Sequence, residues 1–345
     1  MIISKTPYRI SFLGGGTDYP VWFNKYGGQV LSTTIDKYVY ISCRYLPPFF
    51  DHSLKLVYRN QDYVKKIENI RHSSARAVLN YMNLKNNLEI HHYSDLPARS
   101  GIGSSSAFTV SLLNCLYKYK NQKISKKQLS EKSIFIEQKI LGETVGSQDQ
   151  ISTSYGGLNK IKFFKKNNFK VFKVNLLKNQ LKEFSENLLL FHTGIFRIAN
   201  NVSKSYVNKF EKHVYYYEEL FNLVNVGIKL LKNNDFDEFG KTLHLAWNLK
   251  KSISNRISNN KIDDIYHNAI SSGAIGGKLL GAGGGGFILF YVPKKFQKQV
   301  VKRLEKLIHV PFNFETSGSK IIFSSKDKIF LNEEKIWKRK FINEE

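Results

Sequence analysis

The sequence predicts an α+β protein, an α/β two-layer architecture in two domains, residues 1–180 and 181–345. Three observations predict it. The chain has 345 residues with 42% hydrophobic and 23% charged content, enough for two cores. Its first half alternates strand-patterned and helix-patterned segments. Its second half runs through long helical patterns into strand, helix and strand, which suits helices packed on an antiparallel sheet.

The elements follow in order. Residues 2–13 and 29–45 read as strands, with β-branched and aromatic residues dominating the stretch from Val30 to Cys43. Residues 88–93 form a short extended segment leading into a glycine-rich loop. Beyond it, Phe108, Leu112, Cys115, Leu116 and Tyr119 recur at helical spacing. Ser125 and Gln128 make a capping box for the next helix, whose apolar face is Leu129, Ile136 and Ile140 and whose stop is Gly142. Strands are expected around 158–175, turning at residues 165–168. The second half opens with a strand at 188–192, then helical patterns over 203–232, 235–258 and 263–272. A strand at 287–292, a helix at 294–309 and a strand at 320–324 complete it, and residues 332–345 read as a peripheral helix.

The formal net charge of +25 raises the question of nucleic acid. The charge comes from 43 lysines and only 10 arginines, 53 in all, spread over the entire length. No Arg-rich arm, zinc-knuckle spacing or aromatic RNA-binding signature accompanies them. A basic surface serving an anionic small substrate is therefore favoured, with no nucleic-acid partner. Two cysteines, Cys43 and Cys115, imply no disulfide framework. No stretch approaches the roughly 20 apolar residues of a membrane span, and no signal-peptide core opens the chain. The expectation is a cytoplasmic protein with no membrane partner.

Three separated glycine-rich segments need a joint explanation. The first runs Pro7-Tyr8-Arg9-Ile10-Ser11-Phe12-Leu13-Gly14-Gly15-Gly16-Thr17-Asp18-Tyr19. The second is Pro97-Ala98-Arg99-Ser100-Gly101-Ile102-Gly103-Ser104-Ser105-Ser106-Ala107. The third is Lys278-Leu279-Leu280-Gly281-Ala282-Gly283-Gly284-Gly285-Gly286-Phe287. Glycines let the backbone curl around a guest, and a helix start offers unpaired N–H donors and a positive dipole end. The second segment is thus a phosphate cradle, or more blandly a linker with a serine N-cap. There is no G-x-x-x-x-G-K-[ST] loop and no G-x-G-x-x-G following a strand, so the phosphate logic is of another kind.

In this order, the three segments resemble the three motifs of the GHMP small-molecule kinases, over nearly the full length. The middle one, P-x-x-x-G-[LI]-G-S-S-S-A, is the most specific. The resemblance implies two domains with ATP and substrate in the cleft between them, the C-terminal one ferredoxin-like. Leu-Gly-Gly-Gly-Thr-Asp at 13–18, with Gly-Ser-Gln-Asp-Gln at 146–150, resembles the branch acting on D-glycero-D-manno-heptose 7-phosphate. That branch phosphorylates the anomeric hydroxyl, giving the 1,7-bisphosphate on the way to nucleotide-activated heptose and surface glycans. An unphosphorylated sugar such as fucose or galactose, or a non-catalytic binding protein of the same fold, are the alternatives.

Carried over residue by residue, the resemblance implies that Pro97, Gly101, Ile102, Gly103, Ser104, Ser105 and Ser106 hold the ATP phosphates. Ser105 and Glu137 would hold Mg²⁺, with Ser106 able to replace Ser105 because the serine run blurs the register. A solvated helix residue is the bland reading of Glu137, opposed by apolar Phe135, Ile136 and Ile140. Asp149 would face the accepting hydroxyl as base, and an N-cap is its alternative. Arg9 would stabilise the transferring phosphoryl group, or else form a structural salt bridge. Gly14, Gly15, Gly16, Thr17 and Asp18 would meet the sugar. Galactokinases have Glu-His where this chain has Gly15-Gly16, which opens space. Gly283, Gly284 and Gly285 would close over the reacting centre. Arg197 is the leading cation for a substrate phosphate, with Lys204 and Lys37 behind it. His91 and His92, adjacent on a strand, face opposite ways and read as structural. A homodimer is compatible with all of this.

Overall fold

The computed structural model describes residues 1–84, 87–195, 203, 207 and 210–325. Arg197, Lys204 and the tail helix expected at 332–345 lie outside the described residues. Nine strands make the first sheet: β1 (Ile2–Leu13), β2 (Gly28–Tyr45), β3 (Leu54–Val57), β4 (Gln61–Val64), β5 (Leu88–Ser94), β6 (Asn159–Phe164), β7 (Asn168–Lys173), β12 (Phe314–Glu315) and β13 (Lys320–Ser324). Four more, β8 (Leu188–His192), β9 (Gly276–Leu279), β10 (Phe287–Tyr291) and β11 (Ile308–His309), form an antiparallel sheet in the order β11-β8-β10-β9. The fold is α+β, with one parallel pair, β3 with β5, among otherwise antiparallel ladders.

The spine is the 18-residue β2, which pairs with β1 along one edge from Leu31 to Cys43. Its other edge takes β6, then β12, then β5 in succession. Such a long strand bends where the register slips: Pro7 pairs with Tyr38, but Tyr8 pairs with Ile35. From Thr6 to Leu13, β1 is buried on both faces. Helix Ser104–Tyr119 packs against it, and Phe12 reaches a cluster with Phe184, Phe239 and Phe314 at ring separations of 5.6, 5.7 and 6.3 Å. That cluster welds the two halves at the place where the first glycine motif begins.

The chain does not stay in its second half. After β11 it returns, and β12 and β13 pair with β2 and β1 of the first sheet. The helix expected over 294–309 ends at Arg303 and is followed by β11. The long pattern at 203–232 resolves, in its described part, into a 3₁₀ turn Phe210–His213 and helix Val214–Asn233. The Ser125 capping box is present, but its helix converts at Ile136–Ile140 to a π-helical turn. The extra residue per turn rotates Ile140 outward, 44% exposed, while Leu129 and Ile136 stay buried, so the expected apolar face is cut short. Among the described residues no helix is long and apolar enough to cross a membrane.

Candidate active site

The second glycine segment forms a tight loop between β5 and helix Ser104–Tyr119. It needs left-handed backbone at Arg99 (φ 59°), Gly101 (84°) and Gly103 (76°), which is inexpensive only for the glycines. Gly103 caps the helix, and the first helical bond runs from Ala107 N–H to Gly103 C=O at 2.8 Å. The N–H groups of Ser104, Ser105 and Ser106 therefore lie ahead of the helical ladder and are offered to an anion. The loop is held from behind: Arg9 N–H donates to Ile102 C=O at 3.1 Å, Ser100 Oγ to Pro97 C=O at 2.6 Å, and Arg99 N–H to Ser104 Oγ at 3.1 Å.

The third glycine segment is bolted to that loop. Phe287 N–H donates to Ser100 C=O at 2.9 Å, and a Cβ on Gly286 would lie 2.2 Å from the same oxygen. A Cβ on Gly283 would strike the Ile257 backbone at 2.7 Å, and one on Gly285 would strike Ile195 O at 2.5 Å. Gly284 N–H donates to Ile257 C=O at 2.8 Å. These glycines are set by close backbone approach to neighbouring loops.

Beside the loop stands an ion pair. Arg9 Nε and Nη2 donate to the two carboxylate oxygens of Asp149 at 2.6 Å each, and Nη1 donates to Gly101 C=O at 2.7 Å. Arg9 is 3% exposed and Asp149 24%, so the carboxylate keeps an open side. Asp149 sits in the first turn of helix Gln148–Tyr155, yet its side chain turns to Arg9 and not to the helix N-terminus. Three of the five guanidinium N–H groups are used in these bonds, leaving two. A Cβ on Gly103 would come 3.4 Å from Asp149 Oδ2, so loop and carboxylate are neighbours.

Asp18 is buried against the same helix start. Its carboxylate accepts from Gly16 N–H at 2.9 Å and Gln148 N–H at 3.3 Å, and a Cβ on Gly146 would collide with Oδ2 at 1.8 Å. Burial, and then the charge of Asp149, raise the Asp18 carboxyl above its usual range. Lys278, on β9, is buried nearby and donates to Phe12 C=O at 2.7 Å. Burial pushes its ammonium down to about 7, aided by Arg9 and opposed by Asp18.

The rest of the first segment builds a turn. Thr17 Oγ1 donates to Gly14 C=O and Gln29 C=O, each at 2.8 Å, and is fully buried; it braces the turn. A Cβ on Gly14 would strike Gln29 O at 2.1 Å, and one on Gly16 would strike the Tyr217 ring at 2.7 Å. Gly15 alone of the three has ordinary space around it.

Glu137 lies on the π-helical turn, fully buried despite the outward Phe135 and Ile140. Its Oε2 accepts from Ser106 Oγ at 2.9 Å and from Gln150 Nε2. Of the serine run, Ser106 is thus the one bonded to Glu137, and Ser105 is exposed. Burial, and then the neighbouring Glu143, push the Glu137 carboxyl up to about 7. Its Oε1 is buried with no hydrogen-bond partner. An orphaned carboxylate oxygen beside a phosphate-ready helix start fits a hard divalent cation.

Lys37 pairs with Asp36 at 3.1 Å, at the slip in β2. His91 bonds Glu89 at 2.7 Å while His92 packs its ring on Phe108 at 5.0 Å, opposite sides of β5.

Two family profiles match this chain. The one described as GHMP kinases N terminal domain covers residues 63–157, and the one described as GHMP kinases C terminal covers 228–308. The D-glycero-alpha-D-manno-heptose 7-phosphate kinase of Campylobacter jejuni is 30% identical over 322 residues, covering 88% of this chain and 93% of that protein. The bifunctional fucokinase/GDP-fucose pyrophosphorylase of Arabidopsis thaliana is 26% identical, covering 89% of this chain but 31% of that protein. Among solved structures, a D-glycero-D-manno-heptose 1-phosphate kinase from Bacteroides thetaiotaomicron superposes with a TM-score of 0.78 at 22% identity, covering 94% of this chain and all of that one. Mevalonate kinase of Methanococcus jannaschii follows at 0.69 and 21%, covering 90% of this chain and 98% of its own.

Proposed function

The chain belongs to the GHMP kinases, and from that premise we propose that it phosphorylates the anomeric hydroxyl of D-glycero-D-manno-heptose 7-phosphate, yielding the 1,7-bisphosphate for nucleotide activation. It is an ATP-dependent sugar kinase of this family. The observation that carries the chemistry is the Asp149 carboxylate clamped by Arg9 beside the phosphate loop. What supports the sugar is the Campylobacter relative, similar over nearly the entire chain.

The mechanism follows from the placement of the groups. The N–H groups of Ser104, Ser105 and Ser106 hold the ATP phosphates against the helix dipole. Asp149 accepts a hydrogen bond from the sugar hydroxyl and takes its proton as the oxygen–phosphorus bond forms and the bond from the γ-phosphorus to the ADP oxygen breaks. Arg9 fixes the direction of that carboxylate, and its remaining N–H groups face the charge that spreads over the phosphoryl oxygens. Glu137 Oε1 would hold Mg²⁺ with a hydroxyl of the serine run, Ser105 or, as its bond to Oε2 favours, Ser106, while Gln150 keeps the carboxylate in place through Oε2. The ion, when bound, supplies charge neutralisation for the phosphates.

Glu137→Gln keeps the shape and removes the charge. It is expected to raise the Mg²⁺ concentration for half-maximal activity by roughly 10-fold or more, measured by titration at saturating ATP. An unchanged Mg²⁺ requirement would take Glu137 out of the metal site. The substrate is tested by following ADP release with heptose 7-phosphate, fucose, galactose and mevalonate. The heptose phosphate is expected to give the highest kcat/KM. Turnover of a neutral sugar with none of the heptose phosphate would overturn the proposal, and no turnover of any would favour a non-catalytic binding protein.

A further inference from the structure

Two polar side chains in the wall of this site are buried and have an atom without a partner. Ser11, on β1, is 5% exposed and its Oγ makes no hydrogen bond; Gln148, at the start of its helix, is 9% exposed and its Oε1 makes none. They are not scattered. A Cβ built on Gly15 would lie 3.6 Å from Ser11 Oγ and 3.8 Å from Gln148 Nε2, so both side chains border one small space in front of Gly15. Gly15 itself is half-buried. Its neighbours are Asp18, which accepts from the backbone of Gly16 and Gln148, and Asp149, the next residue along.

Buried polar groups almost always find partners, and an unpaired Ser11 Oγ bordering the same space as the Gln148 amide nitrogen needs a reason. We propose that Ser11 and Gln148 form a specificity subsite for a second hydroxyl of the sugar, one that is not phosphorylated. The chemistry is complementary. A hydroxyl can accept from the Gln148 amide N–H that borders the space while donating to Ser11 Oγ, so that one group bridges both side chains. The absence of a side chain at Gly15 leaves the room, since its backbone does not require glycine: its φ is not in the left-handed region. A site built to bond a hydroxyl rejects analogues that lack it, because its own polar atoms are then left unpaired. This inference rests on the sugar-kinase reading and deepens it.

The test uses the full chain, ATP and the sugar that the native enzyme turns over best. Gln148→Met and Ser11→Ala are expected to lower kcat/KM for the sugar by about 10-fold each with little change in KM for ATP. Gly15→Ala fills the space without striking protein atoms, so it folds and shows the same selective loss. A set of mono-deoxy sugars then locates the contact. One analogue alone is expected to be poor with native enzyme and to suffer no further loss from Gln148→Met. Variants with native sugar kinetics, or losses equal on every deoxy analogue, overturn the subsite while leaving the kinase reading intact. A native enzyme that turns over no sugar overturns both.

Discussion

Asp149→Asn is expected to lower kcat by roughly 10²-fold or more while the affinity for ATP stays near native. The amide matches the carboxylate in size but cannot accept the hydroxyl proton. It also presents an NH₂ group where Arg9 needs an acceptor, because both carboxylate oxygens now receive Arg9 N–H groups at 2.6 Å. The two effects act together on the reacting centre. ATP binding is expected to be spared, because in the proposed mechanism the phosphates are held by backbone N–H groups that Asp149 does not touch. Arg9 would be left partly unpaired at 3% exposure, which by itself destabilises; the opening of Asp149 to solvent at 24% moderates the loss. Thermal unfolding with and without ATP separates the two effects. A variant with native turnover would remove Asp149 from the mechanism, whereas lost turnover with retained ATP stabilisation is the expected pattern.

Much of this site was legible in the sequence because glycine runs mark close approach irrespective of tertiary detail. The tight loop at 97–107 and the Gly14–Asp18 turn follow from residue type and order, while Asp149 was singled out through the resemblance to the GHMP kinases. What was not legible depends on register and on distant partners. The burial of Glu137 comes from a π-helical turn, which no 3.6-residue pattern announces, and its flanking Phe135 and Ile140 point outward. Among three consecutive serines only the helix geometry selects Ser106 for Glu137. The hairpin of β3 and β4 has four residues per strand, too short for an alternation to emerge. The return of β12 and β13 to the first sheet is a long-range pairing, with Phe314 opposite Ile35 and Lys320 opposite Lys5. Ser11 and Gln148 both lie inside motifs the sequence shows, but only the fold brings them together at Gly15.

Lys278 had a readable sign, a lysine heading an apolar strand into a glycine run, and it supports the second large prediction. Lys278→Met is expected to make the protein more stable at pH 6 and less active. The ammonium is 5% exposed, beside Arg9, and loses its proton at about 7 in the folded state. The unfolded chain keeps that proton until the ordinary lysine value of 10.5. Between these values the unfolded state binds more protons, so stability rises with pH across the window. Below 7 the full penalty of the buried charge is present, and methionine removes it while filling a similar volume. The gain in Tm over the native protein is therefore largest at pH 6 and shrinks towards pH 10. Asp18, which pulls the amine the other way, and the Phe12 carbonyl lose their partner, and the site loses a cation next to Arg9 and Asp18. Turnover is expected to fall by roughly 10²-fold, as when a preorganised donor at a charged transition state is removed. Calorimetry at pH 6 and pH 9 with initial rates at both decides it. A variant with native activity, or one no more stable at pH 6, would mean that the buried amine serves the fold; a destabilising charge kept in a buried strand beside Arg9 is otherwise accounted for by the reaction it serves.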